Sequence, residues 1–411
     1  MSESHKPLFN RTYLKAIIWI VAIAIILLTT SQNSSIDFIS IKKHDSAPVY
    51  YVDSADAPYL QINLLYRTGP AISEQQQLLQ QLLGLRINDA LAQITQRPDF
   101  TELKARFKAE TEADRINVRV VIANDYSEQT QQISTMIKAL QQDLSEALIY
   151  NSLEKSWNRL EAKQYLNQKD PENLLLSTFL NQLNPDPSVH PLQRFDDLYR
   201  ARINPTTLTI TVQGPESRAL AQLLGQALPN YSSNDDFSRP PGTPNQLSLA
   251  PQGNSTYMLA GLELPGRQQA NFLNELLAVR TLQQLLQSQE AKFRLIWKSL
   301  DKQGYIAMIL HGPQITANTD LYNLLQPLKA QLSDQLIDKT RAQLQDKFNN
   351  QMAQTQAQLG QLENIAFYQL PVDYLDQFSE RLERVDNQQV KQLINRYLDS
   401  SQQYQLILPA Y

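Results

Sequence analysis

One order of elements is written twice along this chain: apolar strand, long amphipathic helix, β-hairpin, helix pair, closing strand. In the first pass, residues 49–52 and 59–66 are β-rich runs split by the turn-like polar segment 53–58, and read as adjacent strands. Apolar spacing then predicts a helix over 73–94, with Leu78, Leu82 and Leu85 on its buried side. Residues 107–113 and 116–123 form a hairpin across Asp114-Arg115. Helices follow over 127–148 and 152–167, the second ending near Asp170-Pro171. Residues 207–212 are a buried strand, and 216–228 a short helix.

The second pass begins after residues 230–255, which are dense in Ser, Asn, Pro and Gly and read as an exposed linker. Residues 257–264 repeat the strand that starts at Tyr59, and Leu276-Leu277-Ala278-Val279-Arg280 repeats Leu82-Leu83-Gly84-Leu85-Arg86. Residues 293–300 and 305–310, joined by Asp301-Lys302-Gln303-Gly304, repeat the hairpin. Residues 318–332 and one long helical stretch from 333 to about 368 match the helix pair, and 404–408 the closing strand. A duplicated α+β unit is the economical fold.

The repeat leaves the N-terminus unaccounted for. Residues 16–36 carry no charge and 16–28 are continuously apolar. A helix needs ~20 residues to cross the hydrocarbon core, so the polar uncharged flank must sit in the interface. No small-x-small cleavage site follows, which favours a retained anchor over a signal peptide. Lys6, Arg11 and Lys15 precede it, placing residues 1–15 in the cytoplasm and the rest outside. The exported part then divides into domains 46–229 and 256–411 around the linker. A net charge of −4 gives no footprint for nucleic acid. With no cysteine, thiolate chemistry is excluded. The four histidines, His5, His44, His190 and His311, lie beyond helical reach of one another.

Early on the first helix stands Gln77-Leu78-Leu79-Gln80-Gln81. Positions i, i+3 and i+4 share a helix face, so Gln77, Gln80 and Gln81 project together. His-x-x-Glu-His at this spacing would supply two imidazoles and a carboxylate base, the zinc-peptidase arrangement. Here each of those positions is an amide, which does not ionise, is a poor zinc ligand and takes no proton from water. In a glutamine-rich chain such a face is by itself an ordinary solvated one.

Three stretches give the pattern a family likeness. The first is Tyr368-Gln369-Leu370-Pro371-Val372-Asp373-Tyr374-Leu375-Asp376 with Val385-Asp386, Val390 and Tyr397-Leu398-Asp399. The second is His190-Pro191-Leu192 with Phe195-Asp196-Asp197-Leu198, Ile203-Asn204-Pro205 and Thr211-Val212-Gln213-Gly214. The third is the strand–turn–helix of residues 59–91. In order and spacing these resemble the M16 (insulinase/pitrilysin, mitochondrial-processing-peptidase-like) metallopeptidase family, over residues 46–411. The resemblance implies two tandem homologous M16-like (LuxS/metallohydrolase-like) α/β sandwich units after an N-terminal transmembrane helix. It places the family's zinc histidines on Gln77 and Gln81, its glutamate base on Gln80, and its third ligand near 158–161, where Glu161 alone keeps a carboxylate. The family's substrate-holding tyrosine falls near Phe293, without a matching arginine; Arg294 and Tyr305 are nearby but misplaced.

The expected protein is therefore a membrane-anchored, catalytically inactive M16-like chain of the bacterial inner membrane, its domains in the periplasm. It has no catalytic residue, metal or cofactor, and its substrate-binding residues are undefined. Expected partners are an extended peptide and a homologous active M16 zinc peptidase subunit, or a second copy in a homodimer. One alternative is a zinc peptidase with an unconventional site built on His190 or His311; another is a structural envelope scaffold. Elsewhere, Glu154 and Glu161 beside Lys155 and Lys163 read as surface ion pairs, His190 as a turn residue, His311 as a strand end, and Trp157 and Trp297 as core.

Overall fold

A computed structural model describes residues 36–147, 153–185, 190–226, 228, 243–268, 271–287, 289 and 292–411. The anchor expected at 16–36 thus lies outside the described residues but for its last; among those described, no helix is long and apolar enough to cross a membrane. The elements below all belong to the unit Phe38–Tyr411.

Two sheets carry the fold. The first contains β1 (Lys42–Lys43), β2 (Val49–Asp53), β3 (Tyr59–Arg67), β4 (Arg106–Thr111), β5 (Arg115–Ala123) and β6 (Leu208–Gly214), in the order β1-β2-β6-β3-β5-β4. The second contains β7 (Gln246–Ser248), β8 (Tyr257–Pro265), β9 (Lys292–Ser299), β10 (Gln303–His311) and β11 (Tyr404–Leu408), in the order β7-β11-β8-β10-β9. The plan is the same in both. The closing strand lies antiparallel to the first long strand, the hairpin follows on its other side, and a short strand runs parallel to the closing one. Residues 49–52 and 59–66 are consequently not neighbours, because β6 inserts between β2 and β3. Short-range turn signals do not reveal that a strand from 150 residues downstream takes the middle place.

The helices are α1 (Glu74–Ile94), α2 (Thr130–Glu146), α3 (Leu153–Asn167), α4 (Pro171–Leu183), α5 (Phe195–Arg202), α6 (Ser217–Gly225), α7 (Phe272–Gln287), α8 (Leu321–Gln331), α9 (Asp334–Met352), α10 (Thr355–Phe367), α11 (Tyr374–Glu383) and α12 (Asn387–Tyr397). One core lies between the first sheet and α1, α2 and α6, and a second between the second sheet and α7, α9 and α12. The remaining face of each sheet is covered from the other half of the chain. Helix α4 packs on β8 and β11, while α10 packs on β2, β3 and β6. Covered on both faces, β3 is buried along nearly its whole length rather than alternating.

Helix α4 has no counterpart among the elements that the apolar spacing predicts. Pro171 does end the preceding helix, but it also opens a new one at N1, with Asp170 capping the Asn173 N–H at 3.0 Å. Gly261 admits it, since a Cβ there would stand 2.6 Å from the Phe179 ring. The stretch 333–368 is likewise two helices, α9 and α10. No proline or glycine marks the break; the buried Gln358 amide spans it, donating to the Met352 carbonyl at 2.7 Å while its oxygen accepts from Ile39 N at 2.8 Å. Within the expected linker, Gln246–Ser248 pairs with β11, a three-residue exposed edge strand too short to show a period. Leu85 is 43% exposed, whereas Leu78 and Leu82 are buried. It sits one turn beyond Gln81, on the side of α1 that looks away from the sheet.

Glu275 on α7 stands where Gln81 stands on α1, and it is buried. Desolvation drives its carboxyl up to about 7, against Arg396 and the Trp297 indole. A raised acid favours folding while protonated, so this stabilisation is complete below about 4.5 and is lost as pH rises to about 7. At ~1.4 kcal/mol per unit the total is roughly 3 kcal/mol. Glu275→Gln should flatten that part of the pH profile, so the variant gains on the wild type between pH 5 and pH 8 in urea unfolding. Parallel profiles would contradict the assignment.

Candidate functional site

The first turn of α1 is clamped before any candidate residue is reached. Ser73 and Gln76 form a capping box, and Gln76 Oε1 also accepts from Ile72 N at 3.0 Å and Asn184 Nδ2 at 2.9 Å. Asn181 of α4 accepts from Glu74 N at 2.9 Å. Gly84 lets the helix lie on β4, because a Cβ there would meet Thr111 Oγ1 at 1.9 Å. The helix is thus fixed against α4 at its N-terminus and against the hairpin at its middle.

Gln77, Gln80 and Gln81 all reach one cleft of about 290 Å³. Its second wall is the β4 end, with Thr111, Glu112 and Ala113; its third comes from the other half, with Lys298, Leu300 and Tyr305. The three amides do not share one environment. Gln77 folds back, donating to the Ile72 carbonyl at 2.8 Å. Gln80 is buried and donates inward to Thr68 Oγ1 at 2.6 Å and to the carbonyls of Glu112 at 3.0 Å and Arg115 at 3.2 Å. Two carbonyl partners fix its amide orientation, since a flipped oxygen would face them without a proton. Gln81 remains exposed.

Behind the cleft floor the two hairpin turns are tied by buried charge. Arg67 Nη1 meets Asp301 Oδ1 at 2.6 Å, with side-chain exposures of 7% and 1%. Asp114 Oδ2 accepts from Asp301 N and from the Tyr368 hydroxyl, both at 3.0 Å. The Arg67 and Arg115 guanidiniums lie over the Phe367 ring at 4.1 and 4.7 Å. Burial raises the Asp114 carboxyl, with Arg115 opposing, and raises the Tyr368 hydroxyl. Glu112 on the rim pairs with Arg115 at 2.6 Å. In the sequence, Asp301 resembles an ordinary turn residue, and nothing local signals its partner 234 positions away.

The other candidates stand apart. Asn158 and Glu161 on α3 are exposed and line no part of the cleft. Glu154, Glu161, Lys155 and Lys163 form no ion pair among the described residues. His190 caps Leu192 N at 3.4 Å and meets Trp157 edge-on at 6.2 Å; His311 ends β10 and stacks on Tyr257 at 5.1 Å. Trp157 is buried, whereas Trp297 is half-buried against Phe272 at 5.7 Å. Arg294 is engaged by Glu172 at 2.5 Å, whereas Tyr305 stands on the cleft wall after all. Among the described residues, no three of His, Asp and Glu come together to hold a metal ion. The donor set at the motif positions does not suit zinc: amides offer no anionic or imidazole ligand.

This architecture superposes on an M16 peptidase inactive domain from Pseudomonas fluorescens with a TM-score of 0.66 and 15% identity, covering 91% of this chain and 99% of that one. The chain has the M16 fold. A protease from Helicobacter pylori matches the M16-like chain with a TM-score of 0.64 and 12% identity, over 91% of this chain and 100% of that one. The periplasmic protease PqqL from Escherichia coli gives 0.62 and 12%, the same 91% here spanning 47% of PqqL. A chain of complex III2 from Candida albicans gives 0.60 and 12%, covering 91% of this chain and 96% of that one, so the M16-like fold also occurs within a multi-subunit complex. No family model and no curated protein matches the sequence.

Proposed function

We propose that this chain is a catalytically inactive M16-fold protein, anchored in the bacterial inner membrane, that holds an extended peptide or serves as the partner subunit of an active homologous zinc peptidase. The observation that carries the reading is Gln80. Where a peptidase needs a carboxylate aimed at a metal-bound water, this side chain turns its amide hydrogens inward onto two carbonyls. The cleft beside it stays open, and β4 and β9 are sheet edges onto which an extended chain can add.

The repeated topology supports two tandem homologous units, 46–229 and 256–411, joined by 230–255. The apolar run at 16–28 and its basic flank support an N-terminus in the cytoplasm and domains in the periplasm. A similar fold in complex III2 favours pairing with another M16-like subunit over a purely structural role.

The test is zinc content by elemental analysis and casein cleavage on the full-length protein in detergent. Well under one zinc per chain and no cleavage are expected. One zinc per chain with chelator-sensitive cleavage would overturn the proposal.

A further inference from the structure

The cleft beside Gln81 has a sign and a size of its own. Lys298 on its wall forms no ion pair with any described residue. Glu112, the carboxylate on the rim, is already engaged by Arg115 at 2.6 Å. Asp114 and Asp301 are shut behind the floor with Arg67. Lys298 and Tyr305 are register partners on β9 and β10, so their side chains leave the same face of the sheet side by side. Burial pushes the Tyr305 hydroxyl up to about 12, which keeps it a proton donor. Glu263, the other register partner of Tyr305, is not on the cleft wall and accepts from Gln303 at 2.7 Å.

The cleft therefore presents a cation, Lys298, and three donors without a hydrogen-bond partner among the described residues: Gln81, Thr111 and Tyr305. The acids nearby are occupied. About 290 Å³ lies at the low end of small-ligand sites, room for a chain end with its last side chain. The geometry points to capture of a carboxylate, the free C-terminus of a peptide, by Lys298 with Gln81, Thr111 and Tyr305. The inference rests on the peptide-holding reading above. A strand added parallel to β4, which runs from Arg106 to Thr111, would end its carboxyl terminus at this wall. The positive charge that a peptidase of this fold derives from zinc is here supplied by a lysine, and directed at a chain end instead of an internal bond.

The experiment is equilibrium dialysis of the full-length protein in detergent against a mixed hexapeptide pool, once as free acids and once as C-terminal amides, read by mass spectrometry. Free acids should be retained roughly tenfold better than their amides, the size of one charge-assisted contact. Lys298→Gln should abolish that difference, and Lys298→Arg should keep it. Equal retention of acids and amides would sink the carboxylate site while leaving peptide holding intact. Amidated peptides retained through internal Asp or Glu would also sink it, by showing a side-chain carboxylate in its place. Retention of neither pool would remove the peptide-holding reading together with this one.

Discussion

Asp301→Ala is expected to cost the folded chain about 3–5 kcal/mol, the penalty of leaving a buried charge without its partner. The carboxylate is buried, meets Arg67 at 2.6 Å, and sits in the turn whose backbone N–H caps Asp114. Removing it takes the counter-ion from a buried guanidinium that lies over the Phe367 ring and donates to the Phe367 carbonyl. Urea unfolding of the two single variants should show the loss for Asp301→Ala and for Arg67→Ala alike. The double change Arg67→Met with Asp301→Leu should recover most of it, because replacing a buried pair with apolar groups is often neutral. A cost under about 1 kcal/mol for either single variant would show the pair to be solvated.

Rebuilding the zinc motif should fail. The triple change Gln77→His, Gln80→Glu and Gln81→His supplies the missing groups, yet position 80 faces the carbonyls of Glu112 and Arg115. A carboxylate there repels both oxygens and loses two hydrogen bonds, a penalty of about 3 kcal/mol at neutral pH. That penalty should shrink as pH falls through the carboxyl range, since a protonated acid can donate to one carbonyl. The expected result is a destabilised protein with no stoichiometric zinc and no casein cleavage. The third-ligand position offers no help, since Glu161 is exposed and off the cleft wall. A triple variant that binds one zinc per chain and cleaves casein would show the site to be a dormant peptidase centre.

Both results bear on whether the motif positions can take zinc ligands again. Replacement of two ligands and a base alone would leave positions that reversion could refill. The inward bonds of Gln80 show the position absorbed into the packing between α1 and the hairpin.

Residue identity alone settles the chemistry of the motif positions, since amides cannot do the work of imidazole and carboxylate whatever the fold. The sequence also determined the repeated order of elements, since a period of two against 3.6 is written into local apolar spacing. The helix pair in each half was less legible. Pro171 carries both a stop and a start, and no proline or glycine marks the α9–α10 break, which the Gln358 amide spans. Tertiary structure alone decided the strand order, the exposure of Leu85 and the third wall of the cleft. Arg67 and Asp301, which form an ion pair, and Gln81 and Lys298, which line one cleft, are more than two hundred residues apart, and no local pattern encodes either approach. They meet because each sheet buries its second face under a helix from the opposite half, which brings the two hairpins together.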